Sequence, residues 1–290
     1  MAQAPSEKWV IVNGLDFHYR DWGGSGQPMV LLHGLASSCH IWDMVAPILA
    51  KDYAVIALDQ RGHGKSAKPT EGYDFASVTQ DVLGVIDYLE GPPPIVVGHS
   101  WGGSVALELA VRAPESLQGM AWVDGGMINA SARYDSVEDA KLEMSPPDFT
   151  GVKLEDFKER VRNRHQGGGM APGSHEVVMA NFEVLADQTI KAWLTRANHL
   201  RIIEALWDHR PVQLYKQVQC PVLIMPARQQ ADPSTQDRGQ RRMFSVGEAE
   251  EMLPNSKTVW LENSVHDVPI QRPELVAEVL KSHINDGFFG

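Results

Sequence analysis

Long apolar runs, paired cysteines and a surplus of positive charge are all missing from this 290-residue chain. No apolar stretch approaches the roughly 20 residues a helix needs to cross a bilayer, which argues against a helical membrane protein. The two cysteines, Cys39 and Cys220, stand alone with no CxxC spacing. Neither a disulfide framework nor a multi-cysteine zinc site fits that pattern. Lys and Arg number 26 against 37 Asp and Glu, a net charge of −11, which disfavours nucleic acid or an anionic membrane as a partner. HExxH and HxxEH are absent, and no GxGxxG follows the first strand. No metal or other cofactor is therefore expected. The opening MAQAPSEKWV has no basic segment leading into an apolar one, so no secretory signal is expected and the cytoplasm is the anticipated location. No internal repeat or low-complexity tract is visible, and self-association is left open.

What is present is a hydrophobic fraction of 43%, enough for one sizeable core. WVIV (9–12), Asn13-Gly14 and LDFHYRDW (15–22) read as a hairpin. The apolar runs MVLLH (29–33), YAVIALD (53–59), PIVVGHS (94–100), MAWVDGG (120–126), PVLIM (221–225) and KTVWLE (257–262) read as strands covered on both faces. Helical spacing falls between them, over 41–51 (disturbed by Pro47), 75–90, 101–113, near 239–252 and over 273–284. This alternation predicts an α/β fold with a mostly parallel, doubly wound sheet. Residues 127–207 break the rhythm, with no convincing strand and with charged helical segments at 137–144 and 154–165. They are expected to form a helical cap inserted after the sixth strand, over a core of 1–126 and 208–290. Ligands in such sheets bind beyond the carboxyl ends of the strands, so the insertion would roof the site.

The segment IVVGHSWGGSVALELA (95–110) holds Gly98-His99-Ser100-Trp101-Gly102, a G-x-S-x-G sequence between a predicted strand and a predicted helix. Glycines two before and two after the serine give a tight, strained turn its room, and Gly103 lets the helix pack close to the sheet. Such a turn lifts the Ser100 hydroxyl out of the sheet. It also places the Trp101 N–H at a helix N-terminus, where an oxyanion is stabilised. The plain alternative is a glycine-rich turn with an idle serine; the strand before and the helix after favour a nucleophile.

The chain resembles the α/β-hydrolases. HGLASS (33–38), DQRGHGKS (59–66) and GHSWGG (98–103) occur after the third, fourth and fifth strands, in that family's order and spacing. The resemblance covers nearly the whole chain and implies a catalytic triad in the order nucleophile, acid, histidine. It implies that the Leu35 N–H is the second oxyanion donor, beside that of Trp101. It makes His266, in NSVHDVPIQRP after the last strand, the general base. His99 is the weaker candidate, because the residue before the nucleophile points away in such a turn. His63, Asp59 and Arg61 are expected to tie down the DQRGHGKS loop. The acid has two candidates. The family's usual position follows the seventh strand, where PVLIMPARQQADPST offers Asp232; a minority of members carry it after the sixth strand, where Asp124 lies 24 residues beyond Ser100. Asp124 is preferred and Asp232 is the alternative.

These parts imply a cofactor-independent serine hydrolase that cleaves a small or medium hydrophobic ester or lactone through an acyl-enzyme. Leu35, Cys39 and Trp101 are expected to form pocket walls. Met127, Met144, Met170 and Met179, with the aromatic residues of the insertion, either line an acyl pocket or pack the insertion onto the core, and packing is the preferred reading. Ser100 argues against haloalkane dehalogenases and epoxide hydrolases, which carry aspartate at that position. Carbon–carbon hydrolases and cofactor-free haloperoxidases share the serine frame and remain alternatives. So does a small-molecule receptor of slow turnover, because fold and site do not fix flux.

Overall fold

The computed structural model describes residues 4–167, 169–229 and 236–290, without the side chains of 165–167 and 236–238. Strands β1 (Ser6–Val12) and β2 (Leu15–Gly23) pair antiparallel around Asn13-Gly14. Both turn residues have positive φ, 53° and 75°, the geometry that matches the twist of a two-residue hairpin. There follow β3 (Pro28–Leu32), a 3-10 turn at Cys39–Trp42, α1 (Ala46–Leu49), β4 (Ala54–Leu58) and α2 (Phe75–Tyr88). Next come β5 (Ile95–His99), α3 (Trp101–Arg112) and β6 (Gly119–Val123). The helix predicted over 41–51 is divided between the 3-10 turn and α1. Pro47 has no N–H to give a continuing helix, and it sits in the first turn of α1, where none is needed.

Between β6 and the next core strand lie α4 (Val137–Met144), α5 (Leu154–Gly167), α6 (Ser174–Met179), β7 (Phe182–Val184), β8 (Ile190–Ala192) and α7 (Arg196–Asp208). The antiparallel β7–β8 hairpin corrects the expectation that this stretch holds no strand. Each strand is only three residues long, and Glu183 and Lys191 face each other across it, so neither presents the apolar run that marks a strand in sequence. The chain then forms α8 (Pro211–Leu214), β9 (Val222–Met225), β10 (Ala227–Arg228), α9 (Gln236–Met252), β11 (Ser256–Thr258), β12 (Leu261–Glu262), α10 (Val268–Gln271) and α11 (Pro273–Asn285). KTVWLE is thus two strands: β11 extends the main sheet, and β12 pairs with β10 beside it.

The main sheet runs β1-β2-β4-β3-β5-β6-β9-β11, and every pairing from β4 to β11 is parallel. Alternation along the central strands feeds two apolar layers. Val30, Leu32 and Val96 face the layer shared with α2 and α3, while Met29, Leu31, Ile95 and Val97 face the layer shared with α1 and α11. Because the strands are parallel, the loops after β3, β4, β5, β6, β9 and β12 all leave toward one rim. The insertion reaches that rim at three points. Ser38 Oγ donates to Asn181 Oδ1 at 2.7 Å, Asn198 Nδ2 donates to the Tyr73 hydroxyl at 2.6 Å, and the Ala171 N–H donates to the Ile270 carbonyl at 3.2 Å. Among the described residues, no helix is long and apolar enough to cross a membrane.

Candidate active site

β5 ends at His99 and α3 begins at Trp101, so Ser100 alone makes the corner. Its φ and ψ are 52° and −119°, a conformation that costs a non-glycine residue energy. Three features hold it there. The Ser100 N–H donates to the Val123 carbonyl at 3.1 Å, and its own carbonyl accepts from the Gly103 N–H at 3.0 Å. The main chain at Gly125 closes against it: a Cβ built on that glycine would stand 2.3 Å from the Ser100 carbonyl oxygen. Ser100 remains partly accessible, and Trp101 starts a helix whose first N–H groups have no partner within the helix.

His266 lies in the loop between β12 and α10. Its Nδ1 is 2.6 Å from Asp124 Oδ2, and its Nε2 is 3.0 Å from Ser100 Oγ. An ionised carboxylate only accepts, so Nδ1 carries the proton and Nε2 is left to accept from the serine hydroxyl. The three residues predicted for the triad therefore converge. Asp232, the alternative acid, lies outside the described residues.

Asp124 follows β6 with a φ of 47°. Its N–H donates to the Met225 carbonyl at 3.0 Å, and its Oδ1 accepts from the Ala227 N–H at 2.9 Å. Burial works to raise the Asp124 pKa, yet hydrogen bonding and charge from His266, followed by the charge of Arg242, bring it below the ordinary carboxylate value. His266 shows the reciprocal effect. Part of its ring is open, with 49% of the side chain exposed, while the enclosed part is disfavoured as a cation. The Asp124 hydrogen bond and charge outweigh that enclosure and raise its pKa.

His99 is buried, and it does not simply point away from the site. Its ring lies 4.9 Å from that of His266, and its Nε2–H donates to the His266 carbonyl at 2.9 Å. Burial, then the charge of His266, lowers its pKa to about 4. A neutral His99 thus supports the loop carrying His266 and has no contact that would make it the base.

The loop after β3 runs against the nucleophile. A Cβ on Gly34 would lie 3.0 Å from Ser100 Cβ, which brings Leu35 alongside. The loop is fixed from below: the Gln60 N–H donates to His33 Nε2 at 3.0 Å, and the Ala36 N–H to His63 Nε2 at 3.3 Å. Asp59 accepts from the N–H groups of Cys39 and Lys65 and pairs with His18, while Arg61 pairs with Asp81. These contacts agree with the expectation that His63, Asp59 and Arg61 tie the loop down. The ligand atoms of His18, Cys39 and Asp59 lie within 4.8 Å of one another. However, both Asp59 oxygens and both His18 nitrogens are already engaged, so the cluster reads as loop anchorage.

Two of the expected pocket walls are corrected. Cys39 has no exposed surface and lies in the α1–α11 layer, and the Trp101 side chain is 1% exposed in the opposite one, stacked on His63 at 5.3 Å. Both side chains are core. The close packing that positions the backbone of this loop also removes them from reach of a bound molecule. Leu35, half-buried, keeps a free face. Met127, Met144 and Met170 pack against the two layers, and Phe149, Phe157 and Phe182 cluster edge to face within the insertion, which agrees with the packing reading. Arg242, which sequence reasoning did not single out, donates from Nη2 to Asp124 Oδ2 at 2.9 Å. Only its place in a helix after β9 marks it, and a sequence does not show which face of that helix meets β6.

A model described as the alpha/beta hydrolase family matches residues 29–279. Over its full length the chain is similar to the uncharacterized hydrolase YugF of Bacillus subtilis, at 26% identity across 98% of both proteins. A segment of 101 residues is 44% identical to a soluble epoxide hydrolase of a Corynebacterium species, covering 35% of this chain and 35% of that protein. The chain spans about a third of the length of the curated relatives matched at 35% identity or more. In fold it is similar to E-2-(acetamidomethylene)succinate hydrolase, with a TM-score of 0.77 at 20% identity over 97% of this chain and 99% of that one. The eight-stranded sheet with its serine corner and the extent of the family match agree, and the chain belongs to the alpha/beta hydrolase family.

Proposed function

We propose that the protein is a serine hydrolase acting on a small or medium hydrophobic carboxylic ester or lactone, without a cofactor. The observation that carries this reading is the 3.0 Å separation of Ser100 Oγ and His266 Nε2, with Asp124 behind the ring. Ser100 Oγ attacks the substrate carbonyl as its proton passes to His266 Nε2. The imidazolium so formed is stabilised by Asp124. Negative charge developing on the carbonyl oxygen is taken up by the N–H groups of Leu35 and Trp101. Collapse expels the alkoxide, which receives the proton from His266, and leaves an ester on Ser100. A water molecule, deprotonated by the same imidazole, releases the acid and restores the serine.

Ester cleavage asks for nothing beyond these parts. The similarity to an epoxide hydrolase does not carry its substrate over, because the side chain at the corner here is a hydroxyl and not a carboxylate. Residues 127–207, touching the loops after β3 and β4 and helix α10, act as the cap that sets acyl specificity over Leu35.

The test is turnover of p-nitrophenyl esters of graded chain length, with a serine-directed phosphonate as label. Ser100→Ala should fold like the parent, lose labelling and lose at least about 10³-fold in kcat/KM. Near-parent rates in that variant would remove Ser100 as nucleophile. Stoichiometric labelling of the parent with negligible turnover would instead favour a small-molecule receptor on this fold.

A further inference from the structure

Arg242 sits on α9, and its guanidinium reaches two oxygens at once. Nη2 donates to Asp124 Oδ2 at 2.9 Å, and Nη1 donates to the Ala227 carbonyl at 2.7 Å. Asp124 Oδ2 is also the oxygen facing His266 Nδ1, at 2.6 Å, while Oδ1 takes the Ala227 N–H. The carboxylate is thereby held on three sides, and only 2% of its side chain is exposed.

A carboxylate oxygen shared between an imidazole and a guanidinium divides its charge between them. It supports an imidazolium less than it would if His266 were its only partner. The guanidinium also places positive charge near a ring that must itself become positive during the reaction. The groups facing His266 come from four elements. Asp124 at the end of β6 and Asp267 in its own loop favour the protonated ring, while Arg242 on α9 opposes it. Ser100 is uncharged, and the buried His99, with its pKa lowered to about 4, is neutral near pH 7. With two carboxylates on one side, Arg242 is the single cation among these groups that works against them.

We propose that Arg242 is a positioning residue that fixes Asp124 in register and restrains the basicity of His266. The proposal rests on the reading of His266 as general base. A general base serves best with a pKa close to the working pH; burial of the ring opposes its charged form, Asp124 and Asp267 favour it, and Arg242 adds to the opposition. If Arg242 only tied α9 to β10, its loss would lower stability and scale the rate equally at every pH. A tuning role changes the pH at which the ring titrates.

The experiment is an NMR titration of the His266 ring in the full chain, for the parent, R242Q and R242K, together with the pH dependence of phosphonate labelling. Gln keeps a hydrogen-bond donor without charge; Lys keeps the charge without the fork. R242Q should raise the ring's midpoint by about 0.5–1 pH unit, the scale of a like charge removed from a neighbouring site. The acid limb of labelling should move with it. R242K should move the midpoint upward less than half as far. A midpoint at or below the parent's in folded R242Q, or a shift in R242K as large as that in R242Q, overturns the proposal. The titration needs no substrate, so a protein that cleaves no ester still answers the question. Failure of the phosphonate to label the parent would count against Ser100 alone.

Discussion

Asp124 Oδ2 and His266 Nδ1 lie 2.6 Å apart although 142 residues separate them in sequence. The contact forms because β6 and β9 are neighbours in the sheet, and the Asp124 N–H continues their ladder onto the Met225 carbonyl. One carboxylate suffices to orient an imidazole, and this one occupies Nδ1. Asp124→Asn should therefore lower kcat/KM for p-nitrophenyl esters by about 10³–10⁴-fold, because an amide no longer favours the Nδ1–H tautomer or the imidazolium. Asp232→Asn should remain within about threefold of the parent. Comparable losses in the two variants would displace Asp124 as the acid.

The two neighbouring histidines, His99 and His266, carry opposite pH signatures. His266 has a raised folded-state pKa, so its contribution to stability is complete below the unfolded value of 6.5 and is lost as pH rises through the folded value. His99 is depressed to about 4, so the unfolded chain takes up that proton first and stability falls as pH drops from 6.5 toward 4. Buried His33 and His63 act in the same sense as His99. Denaturant midpoints measured against pH should show a weaker acid decline in His99→Gln, and a smaller weakening in His266→Gln, which removes the charge that adds to the effect of burial on His99. Activity should follow His266, with kcat/KM rising as the ring loses its proton at a pH above 6.5. An acid limb below that value would contradict the geometry at Nδ1.

Much of this fold was legible because each local signal agreed with its neighbours. Asn13-Gly14 between alternating strands, the two-sided apolar runs of β3 to β6, and the glycines around Ser100 each dictate one local geometry. His266 was placed by its position after the last strand, through the family resemblance and not through its own surroundings. The misses share a physical cause. Whether Cys39 and Trp101 face a pocket or the core depends on the layers packed around them, and both types are at home in either place. The β7–β8 hairpin is too short to show a period. Arg242 matters through a partner 118 residues away, a relationship that no spacing in the chain encodes.

Gly125 offers a test of how closely the corner is held. A methyl at this position meets the Ser100 carbonyl oxygen at 2.3 Å and the Ser100 N at 2.6 Å. Both atoms are backbone, so the corner itself must shift. Gly125→Ala should cost about 1–3 kcal/mol of stability, as overpacking does, and should lower kcat by at least about tenfold as Ser100 Oγ leaves its line with His266. Chemical denaturation and steady-state kinetics on one preparation check both. A variant with parent stability and rate would show that the corner relaxes freely.

Leu35 and Trp101 separate specificity from architecture. Both sit beside Ser100 in the fold, yet Leu35 is half-buried and Trp101 is 1% exposed and stacked on His63. His63 in turn accepts the Ala36 N–H, so the indole supports the loop that presents the Leu35 backbone. Trp101→Leu should cost about 2 kcal/mol or more in chemical denaturation and should slow all esters by a similar factor, because the loop loosens for every substrate. Leu35→Ala should leave the denaturation midpoint nearly unchanged and should alter the ranking of short against long acyl chains, since one apolar wall accounts for roughly 1–3 kcal/mol of discrimination. The paired measurement is kcat/KM across a p-nitrophenyl ester series from acetate to octanoate. A changed chain-length ranking in Trp101→Leu, with none in Leu35→Ala, would mean that the acyl group lies on the indole side of the loop.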